Sequence, residues 1–353
     1  MHVAILVKEF PPDVIGGTET QTRRMAAELQ QRTDHDVTVY TKAYAGSESH
    51  SEYSFNLVRV PNWRLTPFVS TLTFVLVAFL YLLRDRRTID VLQCMMIYPN
   101  GFVGYLLHRL AGLPYFAWIR GGDYYFMKET RWKRWMIDRV LGDTTVLVQT
   151  PTIERDVRSE FDPQNLAVFG NGVDLPDRLA DGDEIVYVGR LEDQKGIDVL
   201  LRALEDTDET LVAVGDGSER ARLMTLADEL GVDAEFVGLV DPDEVAGYLR
   251  RGKIFVLPSV AGEGLPNALL EAYAHGLPAV TTDLAGLPDA VVDGETGFLV
   301  PPNSPSELRD RILQLCNDDE RRQAMGASAR EYVEREHYWA SITARLDEIY
   351  ESQ

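Results

Sequence analysis

Three observations predict an α/β fold made of two parallel-sheet domains. The chain has 353 residues, more than one ordinary domain uses. Strand-length apolar runs alternate with helix-like periodicities from end to end, the pattern of parallel sheets with crossover helices. A polar stretch with two Gly and a Pro, near Phe169–Arg178, separates two such series.

In the first series, Val3–Val7 reads as a strand followed by a Pro/Gly loop, Pro11–Gly17. Thr20–Gln31 reads as a helix because Met25, Ala26 and Leu29 fall on one face. Val37–Tyr40, Asn56–Val60, Val91–Cys94, Tyr115–Ile119 and Val146–Gln149 follow as strands. The second series has strands at Ile185–Val188, Leu211–Val214, Glu235–Val237, Ile254–Leu257, Pro278–Thr282 and Gly297–Val300. Helices begin at Gly196 and Glu219, and Tyr338–Glu351 reads as a last amphipathic helix. The expected domains are 1–170 and 171–337, with 338–353 as a terminal helix. Ligands of such sheets gather at the carboxyl ends of the strands, so two domains facing each other would share one cleft there.

Charge narrows the function. The net charge is −21, and six Lys accompany 29 Arg. The acid is dispersed in short clusters such as Glu205–Glu209. A low-Lys acidic surface resembles that of proteins from salt-loving organisms, which would suit a halophilic archaeal source; the alternative is a merely acidic cytosolic protein. The same field disfavours nucleic acid, whose binding needs many phosphate-neutralising cations. Cys94 and Cys316 form no metal-ligand or redox motif, so a reducing, cytoplasmic setting is expected. The N-terminus reads as a strand rather than a signal peptide. Phe68–Leu83 is 16 residues without charge, followed by Arg84, Arg86 and Arg87. That is short of the roughly 18–20 residues a spanning helix needs. Three readings compete: a buried helix, one lying at the bilayer interface with arginines on lipid phosphates, and, least favoured by its length, a true span. Lys128, Arg131, Lys133 and Arg134, interleaved with Trp132 and Trp135, form a local basic-aromatic patch. It is either a solvated helix face or a contact for a lipid phosphate or anionic membrane.

The strongest constellation follows the strand ending near Leu257. A Gly-rich turn, Val260-Ala261-Gly262-Glu263-Gly264, leads into a helix near Leu265 or Pro266, with Asn267 next. Pro suits a helix start, and the free N–H groups there favour phosphate. Glu263 lies just before the helix and Glu271 eight positions later, so both carboxylates are expected on one side of a site. One can accept bonds from sugar hydroxyls and the other from ribose hydroxyls. The alternative is a capping Glu263 and an idle surface Glu271. A second loop, Gly189–Gly196, carries Arg190 and Lys195 in a chain poor in Lys. Two cations on one loop suit a departing diphosphate; the alternative is surface pairing with Glu192 and Asp193. The Asp-x-Asp spacings at 181–183 and 241–243 lie in a charge-rich linker and a turn, so no metal ligand is assigned.

Together these segments resemble glycosyltransferase family 4, retaining enzymes with a two-Rossmann-domain B-type fold. The Gly-Arg loop ending in Lys-Gly and the two Glu separated by seven residues carry the resemblance. It extends along the chain. Gly16 and Gly17 resemble the first-domain glycine loop that approaches the donor phosphate. Asn171-Gly172-Val173-Asp174 resembles the interdomain motif, and Phe236-Val237-Gly238 the segment whose backbone reads the base. Trp339 resembles the aromatic that opens a helix crossing back to the first domain. The family often has a His at the end of a first-domain strand, where this chain has Arg120-Gly121-Gly122-Asp123. By analogy Arg120 or Asp123 faces the donor sugar; the alternative is an Arg–Asp pair shaping a tight turn.

The resemblance implies a metal-independent hexosyltransferase with no cofactor. Its donor would be a UDP- or GDP-type nucleotide sugar, and its acceptor a glycan or lipid-linked saccharide, at the cytoplasm or the inner membrane face. Arg190 and Lys195 would neutralise the diphosphate, Glu263 would hold the sugar and Glu271 the ribose. The leaving phosphate would take the acceptor's proton. A nucleotide-sugar epimerase and a non-catalytic sugar-nucleotide binder are the competing readings. A dinucleotide dehydrogenase is disfavoured because no G-x-G-x-x-G follows the first strand.

Overall fold

The computed structural model describes residues 1–14, 16–44, 53–63 and 65–351. The chain divides into two compact units: Met1–Gly172 with Trp339–Gln353, and Val173–Tyr338.

The first unit has seven strands: β1 His2–Leu6, β2 Asp36–Lys42, β3 Asn56–Val60, β4 Val91–Cys94, β5 Tyr115–Ile119, β6 Thr145–Val148 and β7 Asn165–Val168. Its helices are α1 Gly17–Arg32, α2 Pro67–Asp85, α3 Phe102–Ala111, α4 Gly122–Tyr125, α5 Arg131–Leu141 and α6 Pro151–Glu160. The second unit has β8 Glu184–Val188, β9 Leu211–Val214, β10 Ala234–Gly238, β11 Gly252–Leu257, β12 Ala279–Thr282 and β13 Gly297–Val300. Around that sheet lie α7 Ile197–Leu204, α8 Arg220–Leu230, α9 Val245–Arg250, α10 Asn267–Ala274, α11 Leu287–Ala290, α12 Pro305–Cys316 and α13 Asp319–Glu336. The last helix, α14 Trp339–Glu351, packs in the first unit: Trp339, Ile342, Leu346 and Tyr350 join Met25, Ala26 and Leu29 of α1 in one apolar cluster.

Both sheets are parallel. Their orders are β3-β2-β1-β4-β5-β6-β7 and β10-β9-β8-β11-β12-β13. The strands are continuous apolar runs because helices cover both faces. In the first unit α1 and α14 cover one face, and α2, α3, α5 and α6 contribute to the core on the other. In each sheet the strand order reverses at one point, between β1 and β4 and between β8 and β11. Crossovers diverge there, leaving a crevice at the carboxyl ends where ligands of such sheets bind.

The structure departs from expectation in three places. Strand β7 pairs with β6 from Thr145↔Asn165 to Val148↔Val168 and was not anticipated. Helix α1 starts at Gly17, three residues early. Helix α2 is longer than the apolar run and neither the buried nor the interfacial reading of it holds whole: Phe74, Ala78 and Leu82 are fully buried, while Phe68, Leu72, Leu76 and Leu80 are exposed.

Candidate functional site

In the second unit, three loops meet at the switch point. They follow β8 (Gly189–Gly196), β9 (Gly215–Gly217) and β11 (Pro258–Pro266). Glycine makes the approach possible. Gly196 has φ +65, and a Cβ there would overlap the Pro258 carbonyl. Gly215 has φ +133, and a Cβ would overlap the Gly189 carbonyl; one on Gly217 would overlap that of Leu191. L-residues pay for such φ, and glycine does not. Backbone bonds tie the loops: Gly189 N–H donates to Val214 O at 3.0 Å, Leu191 N–H to Asp216 O at 2.9 Å, and Val260 N–H to Gln194 O at 2.8 Å.

Two of the expected residues come into direct contact across these loops. Lys195 Nζ donates to Glu263 Oε1, which also accepts from Ser259 Oγ at 2.6 Å. Glu263 is buried; its carboxylate tolerates burial because a cation and a hydroxyl satisfy it. The surface-pairing alternative fails for Lys195: Glu192 instead accepts from Ser218 at 3.0 Å, and Asp193 lies 3.4 Å from Arg222. The capping alternative fails for Glu263 as well, since Pro266 precedes α10 with no side-chain cap. Arg190 is exposed on the same loop, held by its backbone: its carbonyl accepts from Tyr187 Oη at 2.8 Å. Burial, then the charge of Glu263, push the Tyr187 phenol up, and Arg190 opposes them.

Gly264 and Leu265 are buried in the β11 loop, and Pro266 and Asn267 are half-buried at the start of α10. Glu271 lies one turn further into that helix, half-buried. Burial, then the like charge of Asp174, push its carboxyl up to about 7. Ionised, such a carboxylate accepts from hydroxyl donors; protonated, it can also donate. Val237 and Gly238 end β10, where Gly238 O accepts from Gly215 N–H at 2.9 Å.

The first unit holds the remaining expected residues. Gly16 precedes α1 in extended backbone, Gly17 opens the helix, and Glu19 sits in its first turn. Ile15 of that loop lies outside the described residues. At the end of β5, Arg120 and Asp123 do not form the guanidinium–carboxylate pair of the alternative reading. Asp123 accepts from two backbone N–H groups, Arg120 at 2.7 Å and Ile97 at 2.8 Å. The Arg120 guanidinium stacks on Trp118 at 4.4 Å and donates to Asn171 Oδ1 at 2.7 Å. Gln149 donates to the same oxygen at 2.9 Å. Arg120 Nε is buried without a hydrogen-bond partner. Burial pushes Arg120 down to about 10, against the attraction of Asp123 and Glu19. It pushes Asp123 up to about 6 and raises Glu19. Asp123 thus shapes the turn, and Arg120 keeps a donor to spare at the carboxyl edge of the sheet.

Sequence reading missed Ser259, Tyr187, Gln149 and Glu19. Ser259 sits four residues before Glu263, a spacing that carries no meaning outside a helix, and the others become polar neighbours only through tertiary packing.

Among the described residues no group of three or more His, Cys, Asp or Glu is placed to hold a metal ion. The cysteines are free, Cys94 buried and Cys316 half-buried.

Residues 15–176 match the family model described as Glycosyltransferase Family 4, and residues 178–332 match that of Glycosyl transferases group 1. A glycosyltransferase of uncharacterised activity from Methanocaldococcus jannaschii is 26% identical over 76% of this chain and 76% of its own. The D-inositol 3-phosphate glycosyltransferase of Corynebacterium glutamicum is 27% identical over 99% of this chain and 94% of its own. Among solved structures, sucrose-phosphate synthase from Thermosynechococcus elongatus superposes with a TM-score of 0.88 at 20% identity, covering 99% of this chain and 98% of that one. Anabaena HepE, solved with UDP-glucose, superposes with a TM-score of 0.83 at 17% identity over both whole chains. These likenesses show a two-domain glycosyltransferase fold of the GT-B type.

Proposed function

We propose, from the premise that this chain is a glycosyltransferase of the GT-B type, that it moves a hexose from a UDP-sugar to an acceptor hydroxyl with retention and without a divalent ion. The observation that carries this reading is the pairing of Lys195 with the buried Glu263 at the switch point of the second unit. UDP is the proposed base carrier because the HepE structure of the same fold contains UDP-glucose.

The chemistry follows from the charges. In the free protein Glu263 occupies Lys195. A donor diphosphate competes for that lysine, and Arg190 is exposed on the same loop to join it. Two cations then disperse the charge that builds on the pyrophosphate as the glycosidic bond stretches. Glu263, relieved of Lys195, accepts from sugar hydroxyls with Ser259 still holding it. Glu271 accepts from the ribose diol. The acceptor attacks on the face the diphosphate leaves, and a phosphate oxygen takes its proton. The acceptor is a glycan or lipid-linked saccharide, and Arg120, held by the buried Asn171, is the first-unit group proposed to meet it.

Differential scanning with UDP-, GDP- and ADP-sugars tests the donor. A ligand at a hundredfold excess over its Kd stabilises by about 2.7 kcal/mol. We expect that shift with a UDP-sugar and a much smaller one in Glu271→Ala. Equal, negligible shifts with all three would remove the donor assignment, and a product of inverted anomeric configuration would remove retention.

A further inference from the structure

The first unit carries an apolar surface that the transfer chemistry does not use. Along α2, Phe68, Leu72, Leu76 and Leu80 repeat every fourth residue and are 66%, 46%, 55% and 59% exposed. Such spacing places them in one row. The opposite row, Ser70, Phe74, Ala78 and Leu82, is buried in the core. Among the described residues α2 is the one helix long and apolar enough to cross a membrane. Leaving the fold to do so would expose that second row, so the helix is held to the surface.

The neighbouring helices continue this surface. α2 packs on α3 and α3 on α5. Leu110 of α3 is exposed, and on α5 Trp132 and Trp135 are half-exposed, Trp135 lying 5.7 Å from the Phe102 ring. Arg84 and Arg87 are exposed around the end of α2, as are Arg109, Arg131 and Arg139 on α3 and α5. The sequence from 61 to 142 holds eleven Lys or Arg against five Asp or Glu, a net +6, in a chain whose net charge is −21. The remaining residues therefore carry −27. Arginines and tryptophans around an apolar helix row match the interface of a bilayer with anionic headgroups, where rings sit at headgroup depth and cations meet phosphates.

We infer that the α2–α3–α5 face docks this protein on an anionic membrane surface, with α2 lying in the interface plane. Helices α2 and α5 both follow the carboxyl ends of first-unit strands, the sheet edge that carries Arg120. Their far ends, with Arg84, Arg87 and Arg139, lie beside the starts of β4 and β6 at the opposite edge, so in-plane docking runs along the helices rather than at one sheet edge. The inference does not depend on the donor.

Sedimentation of the full chain with vesicles tests it, using phosphatidylcholine alone and phosphatidylcholine mixed with phosphatidylglycerol. We expect pelleting with the mixed vesicles, release by alkaline carbonate, and at least a tenfold loss of partitioning in Leu72→Glu/Leu76→Glu. Arg84→Glu/Arg87→Glu, which leaves the apolar row intact, should also lose at least tenfold on the mixed vesicles. The UDP-sugar thermal shift should be unchanged in both variants, which separates lost docking from lost folding. Failure to pellet with either vesicle, equal pelleting with both, or resistance to carbonate would each overturn the inference. So would a dimer in light scattering that the leucine variant disperses, because the row would then face a second copy of the chain.

Discussion

At the scale of single residues, the proposed site works by keeping charges incompletely compensated. Glu271 is the clearest case. Its carboxyl moves from 4.5 in a free chain to about 7 here, through burial and then Asp174. The folded protein therefore holds a proton that the unfolded chain releases, and stability falls as pH rises through that window. Glu271→Gln removes the dependence. We expect its melting temperature, relative to the parent, to gain between pH 4.5 and pH 7 and to stay level above. Each kcal/mol corresponds to about 2–4 °C for a domain of this size. A difference that does not change with pH would show that the carboxyl is not held up. The identities of Lys195 and Glu263 were legible in the sequence, but not their mutual contact, because 68 residues separate them and their loops meet only through the β8–β11 pairing and the Val260–Gln194 backbone bond. Arg120 was legible as a candidate only by analogy. Its partner proved to be Asn171 rather than Asp123, a choice made by the packing of Trp118 beneath the guanidinium.

At the scale of elements, the glycine that lets the β8 loop meet the β11 loop differs in its surroundings from the one that ends α8, and the difference is measurable. Gly196 and Gly231 have nearly equal φ, +65 and +66. Nothing lies within 4 Å of a Cβ on Gly231, whereas one on Gly196 meets the Pro258 carbonyl. Gly231→Ala should cost only the left-handed penalty, about 1–2 kcal/mol. Gly196→Ala should cost that plus about 1–3 kcal/mol of overpacking, and should weaken donor binding because it pries the Lys195 loop from the Glu263 loop. Urea unfolding of the two variants compares them, and equal losses would mean the loops are not in contact. The parallel strands were readable because buried strands are unbroken apolar runs. Strand β7 was not, since as an edge strand it has only Leu166 buried. Helix α2 was ambiguous for a physical reason: it is apolar all round, so its sequence does not say which face meets the core.

Across the whole molecule, charge is sorted. The surplus acid lies outside the segment from 61 to 142, and the chain's scarce lysine includes one paired with Glu263 in the second unit. Two cations on one loop give a polyanion a local positive site in an otherwise acidic chain. The proposal that they stand in for a divalent ion makes one measurement decisive: UDP release from a UDP-sugar by metal-stripped protein in excess chelator, with Arg190→Ala in parallel. The account predicts an unchanged rate for the parent and a loss of about 10²–10³-fold for the variant. A parent rate that disappears in chelator and returns with magnesium would contradict it.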